Sequence, residues 1–235
     1  MPVGTIDPSA GGTWGFMLAG MDPVITMTGV GWAPAGRSIL HDVDLAVEAG
    51  EMRALVGGTG SGRTAVLRVL VGLIKPDVGG ASILGRDCWT DAVALQRQVA
   101  FPPALTMWPG LTAWETMAFL HRLSGDGDEG RCRLLMSRFG IEPDTPVGAM
   151  ASTERHLAGL VAALCRPVEV FLIDDALTGL DPYQAGVVVA AVRDVRREGA
   201  TVVLTGEPTD GLHRYCDSVT AIEAGRVRAV HSLSA

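Results

Sequence analysis

The residues best suited to chemistry lie in a glycine-rich stretch, Val56-Gly-Gly-Thr-Gly-Ser-Gly-Arg-Thr-Ala65. Four residues separate Gly57 from Gly62, and Arg63 and Thr64 follow, which matches the pattern G-x-x-x-x-G-K-[ST] except that arginine replaces lysine. The glycines allow successive backbone N–H groups to face an anion, and a following helix directs its positive end to the same place. The stretch predicts a phosphate-binding loop; the alternative is a glycine-rich turn that binds no ligand.

Arginine at position 63 keeps the positive charge but replaces a compact ammonium with a longer planar fork, which is not a conservative exchange in a tight loop. Lys75 is the only lysine in the chain, so the exchange also follows a general preference for arginine. Thr64 supplies a hydroxyl where such loops hold Mg²⁺, or is an ordinary residue of a first helical turn. The expected phosphate contacts are Gly57, Gly58, Thr59, Gly60, Ser61, Gly62, Arg63, Thr64 and Ala65.

Strand and helix patterns flank this loop and recur along the chain. An apolar run, Met52 to Val56, precedes the loop, and a helical pattern covers Arg63 to Ile74. Lys75 to Gly80 is expected to break the chain, because it contains proline and two glycines. A second apolar run ends in Asp174 and Asp175, and a third, Thr201 to Thr205, ends two residues before Glu207. Together these patterns predict an α/β protein.

Between the strands, residues 103–166 change to helical patterns. Thr112 is placed to cap a first helix, a second covers about Glu129 to Phe139, and a third carries apolar residues from Leu157 to Leu164. Asp181 and Pro182 predict the start of a further helix. Residues 103–166 are therefore expected to form a helical subdomain inserted between two parts of the sheet.

Composition excludes several classes of protein. The chain has 235 residues, is 48% hydrophobic and carries a net charge of −7, which argues against non-specific nucleic-acid binding. No apolar run approaches the ~18 residues needed to span a bilayer. The four cysteines form no C-x-x-C pair, and the five histidines show no metal-ligand spacing, so the sequence gives no metal signal. Residues 1–22 are rich in Gly, Pro and Ala and are expected to be a flexible extension before a domain at 23–235.

With these segments placed, the chain resembles the nucleotide-binding (ATPase) subunit of ABC transporters. The resemblance runs from about Val24 to the C-terminus and is strongest in Asp42-Val-Asp-Leu, Ala54-Leu-Val-Gly, the glycine loop, Leu111-Thr-Ala-Trp-Glu and Val170 to Pro182. It implies a P-loop NTPase (RecA-like) core with an antiparallel β subdomain and an inserted helical subdomain. It also implies ATP and Mg²⁺ as cofactors, with Asp174 and Thr64 on the metal side. Leu111 to Gly125 is most similar to the drug- and antibiotic-export branch.

The chain departs from the family at positions that carry the chemistry. Asp175 stands where the family has the glutamate that orients the attacking water, and a side chain one carbon shorter retreats by up to ~1.5 Å. Displacements near ~1 Å can cost about a hundredfold in rate. Pro103 replaces the glutamine that senses Mg²⁺. Met150-Ala-Ser-Thr-Glu154 replaces the signature sequence whose glycines approach the γ-phosphate of a partner subunit.

Two further positions are altered. Glu207 replaces the switch histidine, and a carboxylate ~4 Å from a γ-phosphate is repelled by about 1 kcal/mol in water and ~4 kcal/mol at an effective dielectric of 20. Pro34 aligns near the aromatic residue that stacks on adenine, although Trp32 is close enough in sequence to substitute. The catalytic positions Asp175 and Glu207 are therefore both expected to be degenerate.

The resemblance implies a cytoplasmic subunit held on the membrane by a transmembrane permease and paired with a second nucleotide-binding subunit, either another copy or an intact ATPase. The departures favour weak ATP binding and weak or absent hydrolysis. Two alternatives stay open: a divergent but working ATPase, or a scaffold that binds no nucleotide.

Individual residues also have purely structural interpretations. Asp181 can be only a helix cap, Asp174 only a solvated strand end, and Glu207 only a turn residue before proline. An apolar cluster beside Pro103 is either core or a groove for the permease, since the family docks its membrane subunit there. Its members are Met107, Trp108, Trp114, Met117 and Phe119.

Overall fold

The computed structural model describes residues 23–103, 108–125 and 127–232, and the predicted extension at 1–22 lies outside them. Two sheets are present in the described residues. The smaller has the order β2-β1-β4-β5 and is antiparallel, with strands Leu40–Val47, Ile25–Trp32, Val78–Ile83 and Arg86–Asp87. The larger has the order β10-β9-β3-β8-β7-β6, with strands Arg226–Ser232, Ser218–Glu223, Met52–Val56, Thr201–Gly206, Val170–Ile173 and Val99–Ala100.

Strands β9, β3, β8, β7 and β6 run parallel, and only β10 is antiparallel to its neighbour β9. The carboxyl ends of β3, β8 and β7 therefore meet at one edge of the sheet. The glycine loop follows β3, Asp174 follows β7 and Glu207 follows β8. Residues far apart in sequence thus meet at this edge, which is where open α/β sheets bind ligands.

Six α-helices are described: α1 Arg63–Leu70, α2 Ala92–Leu95, α3 Ala113–Ser124, α4 Glu129–Phe139, α5 Ser152–Leu164 and α6 Pro182–Arg197. Helices α3 to α5 lie between β6 and β7 in the chain. The predicted caps of two helices are confirmed: Thr112 accepts the Glu115 N–H at 3.1 Å, and Asp181 accepts the Gln184 N–H at 2.8 Å. Both carry the reciprocal contact that closes a capping box.

The two faces of the larger sheet bury different residues, as the alternation of a strand requires. Met52 and Ala54 of β3 belong to a core shared with α5 and α6, whereas Leu55 packs into a second core with α1 and the smaller sheet. The loop after β3 is thus anchored in both cores.

Two predicted boundaries were wrong. The helix expected to reach Ile74 ends at Leu70, because Gly72 takes a left-handed φ of 71° and Leu73 N–H turns back to the Arg68 carbonyl. The break expected through Gly80 ends sooner, because Val78 already pairs with β1. A Cβ on Gly79 would lie 2.4 Å from the Thr28 and Gly29 carbonyl oxygens. Glycine is therefore needed there, because any side chain would clash with the backbone of β1.

None of the described helices combines the length and apolar character needed to cross a membrane.

Candidate functional site

The glycine loop turns back on itself between two strands of the larger sheet. Gly57 N–H donates to the Gly206 carbonyl at 3.3 Å, and Gly225 N–H donates to the Ser61 carbonyl at 2.8 Å. Gly62 has a φ of 107°, which only glycine adopts without strain. A Cβ on Gly57 would lie 2.3 Å from the Ile222 carbonyl oxygen, so this residue type is fixed by the packing of β9.

Two buried polar atoms of the loop have no hydrogen-bond partner within the described part of the chain. They are the Ser61 hydroxyl oxygen and Nη1 of Arg63, on residues that are 7% exposed each. Unpaired buried donors are costly, and a loop that carries two beside a helix start suits an anion that would accept from them. The loop residues therefore fit a phosphate group. Thr64 is half-buried in the first turn of α1, and Ala65 is buried behind it.

Arg63 also makes an ion pair across the site. Its Nη2 lies 3.3 Å from Oδ1 of Asp175, with the arginine side chain 8% and the aspartate side chain 44% exposed. Asp175 has a left-handed φ of 47°, a conformation that Asp and Asn tolerate better than most residues. The arginine that replaces the usual lysine thus already has a carboxylate partner within the chain.

The pKa of Asp175 is nevertheless raised above its ordinary value of 3.8. Burial is the largest cause, followed by the neighbouring carboxylate of Asp174; the charge of Arg63 opposes them, and Asp210 and Glu207 add to the increase. Three further acidic side chains and one guanidinium therefore act on the Asp175 carboxylate at the carboxyl edge of the sheet.

Thr205 positions both aspartates that follow β7. Its hydroxyl donates to Oδ1 of Asp174 at 2.6 Å and accepts the Asp175 N–H at 2.7 Å. Sequence reasoning missed Thr205. The available signal was a hydroxyl near the end of a buried strand, and only the fold shows that this strand lies beside β7. One side chain therefore sets the orientation of Asp174 and the backbone position of Asp175.

Glu207 lies against the glycine loop instead of projecting into solvent. Its Oε1 accepts the hydroxyl of Thr59 at 3.1 Å, and its backbone N–H donates to Oδ2 of Asp210 at 2.7 Å. A carboxylate is thus held beside Thr59 of the loop, and the same residue begins the 3-10 turn Pro208–Asp210.

The segment Met150 to Glu154 forms the start of α5 and satisfies its own backbone. Glu154 Oε2 accepts the Ala151 N–H at 2.7 Å, and Nη1 of Arg155 donates to the Met150 carbonyl. Ala151 has no side-chain oxygen, so only half of a capping box exists there. The carboxylate of Glu154 occupies a position at which a free helix N-terminus would attract an anion.

A cavity of 330 Å³ lies beside the smaller sheet, and Trp32, Leu40, His41 and Arg226 are among the residues that line it. It adjoins the loop, because a Cβ on Gly62 would lie 3.0 Å from Leu40. Trp32 therefore lies in the wall of a cavity next to the loop, where a nucleotide base has room to bind. Its position in the sequence alone does not show this.

The apolar cluster predicted beside Pro103 divides between core and surface. Met117 is fully buried, Trp114 packs on the core with the guanidinium of Arg133 3.7 Å from its ring centre, and Trp108 contacts Phe119 edge-on at 5.4 Å. Met107 lies outside the described residues.

A larger apolar cavity of 580 Å³ opens next to this cluster, and Pro103 lies in its wall. Its lining includes three large side chains that are strongly exposed: Leu73 at 66%, Val93 at 80% and Leu123 at 68%. The sequence predicted either core or a groove beside Pro103 and pointed to other side chains. These three come from the turn after α1, from α2 and from α3, which meet only in the fold.

The sheet order, the glycine loop and the inserted helices define a P-loop NTPase cassette. The model of the ABC transporter family matches residues 40–178, which is more than half of the chain. The chain therefore belongs to the ABC transporter family, as a nucleotide-binding domain.

Curated relatives agree with this assignment. The ABC transporter ATP-binding protein NatA of Bacillus subtilis is 26% identical over 195 residues, covering 80% of this chain and 79% of the relative. The daunorubicin resistance ATP-binding protein DrrA3 of Streptomyces coeruleorubidus is 29% identical, covering 88% and 68%. The methionine import ATP-binding protein MetN of Caulobacter vibrioides is 28% identical, covering 83% and 62%.

Solved structures share the fold. The ATP-binding subunit of an ABC transporter superposes with a TM-score of 0.82 at 24% identity, covering 89% of this chain and 90% of that one. A dimeric cassette in a post-hydrolysis state with ADP and phosphate gives a TM-score of 0.80 at 17% identity, covering 90% and 99%.

Proposed function

We propose that this chain is the nucleotide-binding subunit of an ABC transporter that binds ATP·Mg²⁺ weakly and hydrolyses it slowly or not at all. The observation that carries the proposal is the Arg63–Asp175 ion pair at 3.3 Å. The cation expected to meet the phosphates is engaged by the residue expected to orient water. Binding ATP in the family manner would require that pair to separate or share its charge with the phosphates.

Residues for gripping the nucleotide are retained. Gly57 to Ala65 would hold the phosphates, as the unpaired Ser61 hydroxyl and Arg63 Nη1 support. Thr64 and Asp174 would hold Mg²⁺, which would neutralise phosphate charge when bound. Trp32 would provide an apolar face for adenine in the cavity beside β1.

Residues for cleaving the nucleotide are compromised. Asp175 forms an ion pair with Arg63. Pro103 has no polar side chain with which to sense Mg²⁺. Glu207 adds negative charge against Thr59, and Glu154 covers an N–H group at the start of α5. Because a family dimer combines the loop of one subunit with the signature of the other, two copies of this chain would form two poor sites. This motivates pairing with an intact ATPase subunit, with a homodimer as the alternative.

We also propose that the apolar cavity at Pro103 receives a segment of a transmembrane permease. Leu73, Val93 and Leu123 are exposed there, and burying their apolar surface would stabilise a complex. The chain would then be peripheral on the cytoplasmic face of the membrane. Relatives named for daunorubicin resistance and Nod factor export agree with the resemblance of Leu111 to Gly125 to the export branch, while other relatives are named for methionine and ribose import.

Binding and turnover should be measured on the purified chain with a non-hydrolysable ATP analogue and with ATP. We expect weak analogue binding that Arg63→Ala abolishes, and turnover no higher than that of Asp174→Ala. Vigorous turnover that Asp174→Ala abolishes would instead establish a working divergent ATPase. Absence of analogue binding even at millimolar concentration would establish a scaffold without nucleotide.

A further inference from the structure

Three potential metal ligands that are dispersed in the sequence meet inside the helical region. His121 belongs to α3, Cys132 to α4, and Cys165 directly follows α5. Their candidate ligand atoms all lie within 4.8 Å of one another, and the residues are 8%, 0% and 0% exposed. Spacing along the chain gave no metal signal because the three ligands come from α3, from α4 and from the residue after α5.

The distances within the cluster are close to those of a metal centre. His121 Nε2 lies 2.9 Å from Cys165 Sγ, and Cys132 Sγ lies 3.2 Å from the thioether sulfur of Met117. Nitrogen and sulfur ligands of one tetrahedral Zn²⁺ are separated by roughly 3.5 Å, given bonds of about 2.0 and 2.3 Å. Admitting an ion therefore requires the cysteine side chains to move outward by about half an ångström, which rotamer adjustment supplies.

The imidazole is held in place by the chain packed against it. A Cβ built on Gly127 would lie 2.0 Å from Cγ of His121, so the backbone at Gly127 lies directly against the ring. His121 also lines the 580 Å³ cavity, which offers an ion a route from solvent. Fixed ligand orientation and an entry path are both features of functional metal sites.

We propose that His121, Cys132 and Cys165 bind one thiophilic d¹⁰ cation, Zn²⁺ or Cu⁺. Imidazole and thiolate are the donors that these ions prefer, and a nearby thioether adds a soft fourth donor suited to Cu⁺. Binding releases the two thiol protons to solvent and involves no oxidation. Two thiolates neutralise Zn²⁺, so the buried site would carry no net charge. The site is separate from the glycine loop, and its occupancy does not depend on nucleotide binding.

The competing interpretation is a packed core in which His121 and Cys165 simply hydrogen-bond to each other. Adding Co²⁺ to the reduced full-length chain under anaerobic conditions separates the two. We expect one equivalent of Co²⁺ to produce thiolate-to-cobalt charge-transfer bands that Zn²⁺ removes. A wild-type spectrum without such bands, together with no saturable Cu⁺ binding in competition with a chromophoric chelator, overturns the proposal without need of any variant.

Variants then assign the ligands. Cys132→Ser, Cys165→Ser and His121→Gln should each weaken binding at least tenfold, as loss of a metal contact does. The matched controls are Cys88→Ser and Cys216→Ser, which remove buried thiols outside the cluster and should leave the affinity unchanged. Equal losses in the controls would overturn the assignment.

Two further variants sharpen the result. Gly127→Ala keeps both thiols but displaces the imidazole, so it should weaken binding as His121→Gln does; unchanged affinity would remove the histidine from the site. Met117→Leu distinguishes the ions, because Cu⁺ binding should weaken while Zn²⁺ binding is unaffected. If the control Cys88→Ser also weakened Zn²⁺ binding, the proposed site would again be contradicted.

Discussion

At the scale of single residues, Asp175 links pH to nucleotide binding. Its pKa is raised chiefly by burial and by Asp174, so the folded chain binds a proton there more tightly than the unfolded chain. Its contribution to stability is therefore present below the ordinary pKa of 3.8 and is lost as the pH rises through the raised value. Protonation also releases Arg63 from its partner and removes one negative charge from the site.

We predict that affinity for a non-hydrolysable ATP analogue rises as the pH falls from neutrality toward the raised pKa of Asp175. Asp175→Asn should bind more tightly than wild type at neutral pH and lose most of this pH dependence, and asparagine tolerates the same left-handed φ. Calorimetry on both proteins in the same buffers cancels the titration of the ligand itself. Identical pH profiles for the two proteins would contradict the role given to Asp175.

Glu207 gives a second prediction at this scale. Its carboxylate is held beside the loop by Thr59, so it should repel a bound triphosphate. Glu207→Gln should strengthen analogue binding by about 1 kcal/mol, roughly fivefold in Kd. Glu142→Gln, an exposed change in the loop after α4, is the matched control and should have no effect. Equal affinities of Glu207→Gln and wild type would leave Glu207 as a turn residue.

At the scale of elements, Asp181 tests whether a residue that resembles part of a family motif acts through structure or chemistry. Its side chain accepts the Gln184 N–H at 2.8 Å and caps α6. Asp181→Ala should reduce the free energy of unfolding by about 1 kcal/mol, which is a fall in Tm of roughly 2–4 °C for a domain of this size. Asp181→Ser should restore most of the loss. Analogue affinity should not change in either; a change in affinity without a change in Tm would indicate a direct role in nucleotide binding.

The elements show how far sequence reasoning reaches. Local chemistry fixes the glycine loop, the caps at Thr112 and Asp181 and the strand that ends just before Asp174, and all of these were predicted. Contacts across the sheet were not, because the Arg63–Asp175 pair and the hydroxyl of Thr205 depend on β3, β8 and β7 lying side by side. Strand order is set by packing of the whole sheet, which no single segment of the sequence records.

At the scale of the whole molecule, the nucleotide edge of the sheet and the apolar cavity at Pro103 are separate surfaces. The cavity lies between the core and the inserted helices, where the turn after α1, α2 and α3 present exposed apolar side chains. Because the cavity lining and the glycine loop share no residue, a mutation on one surface should leave the other intact in the isolated chain.

Leu123→Glu should therefore abolish co-isolation of the chain with its membrane partner while nucleotide affinity and Tm stay within error. The charge would have to be buried in an apolar contact, which is costly for an unpaired carboxylate. Leu134→Glu is the matched control, because Leu134 is 61% exposed against 68% for Leu123 but lies on α4 and does not line the cavity. Pull-down from detergent-solubilised membranes of the native host, with partner identity read by mass spectrometry, measures both variants. Equal recovery of the same membrane protein with Leu123→Glu and Leu134→Glu would show that the permease does not bind at this cavity. A carboxylate introduced at Leu123 would then be tolerated in a contact that is proposed to exclude water.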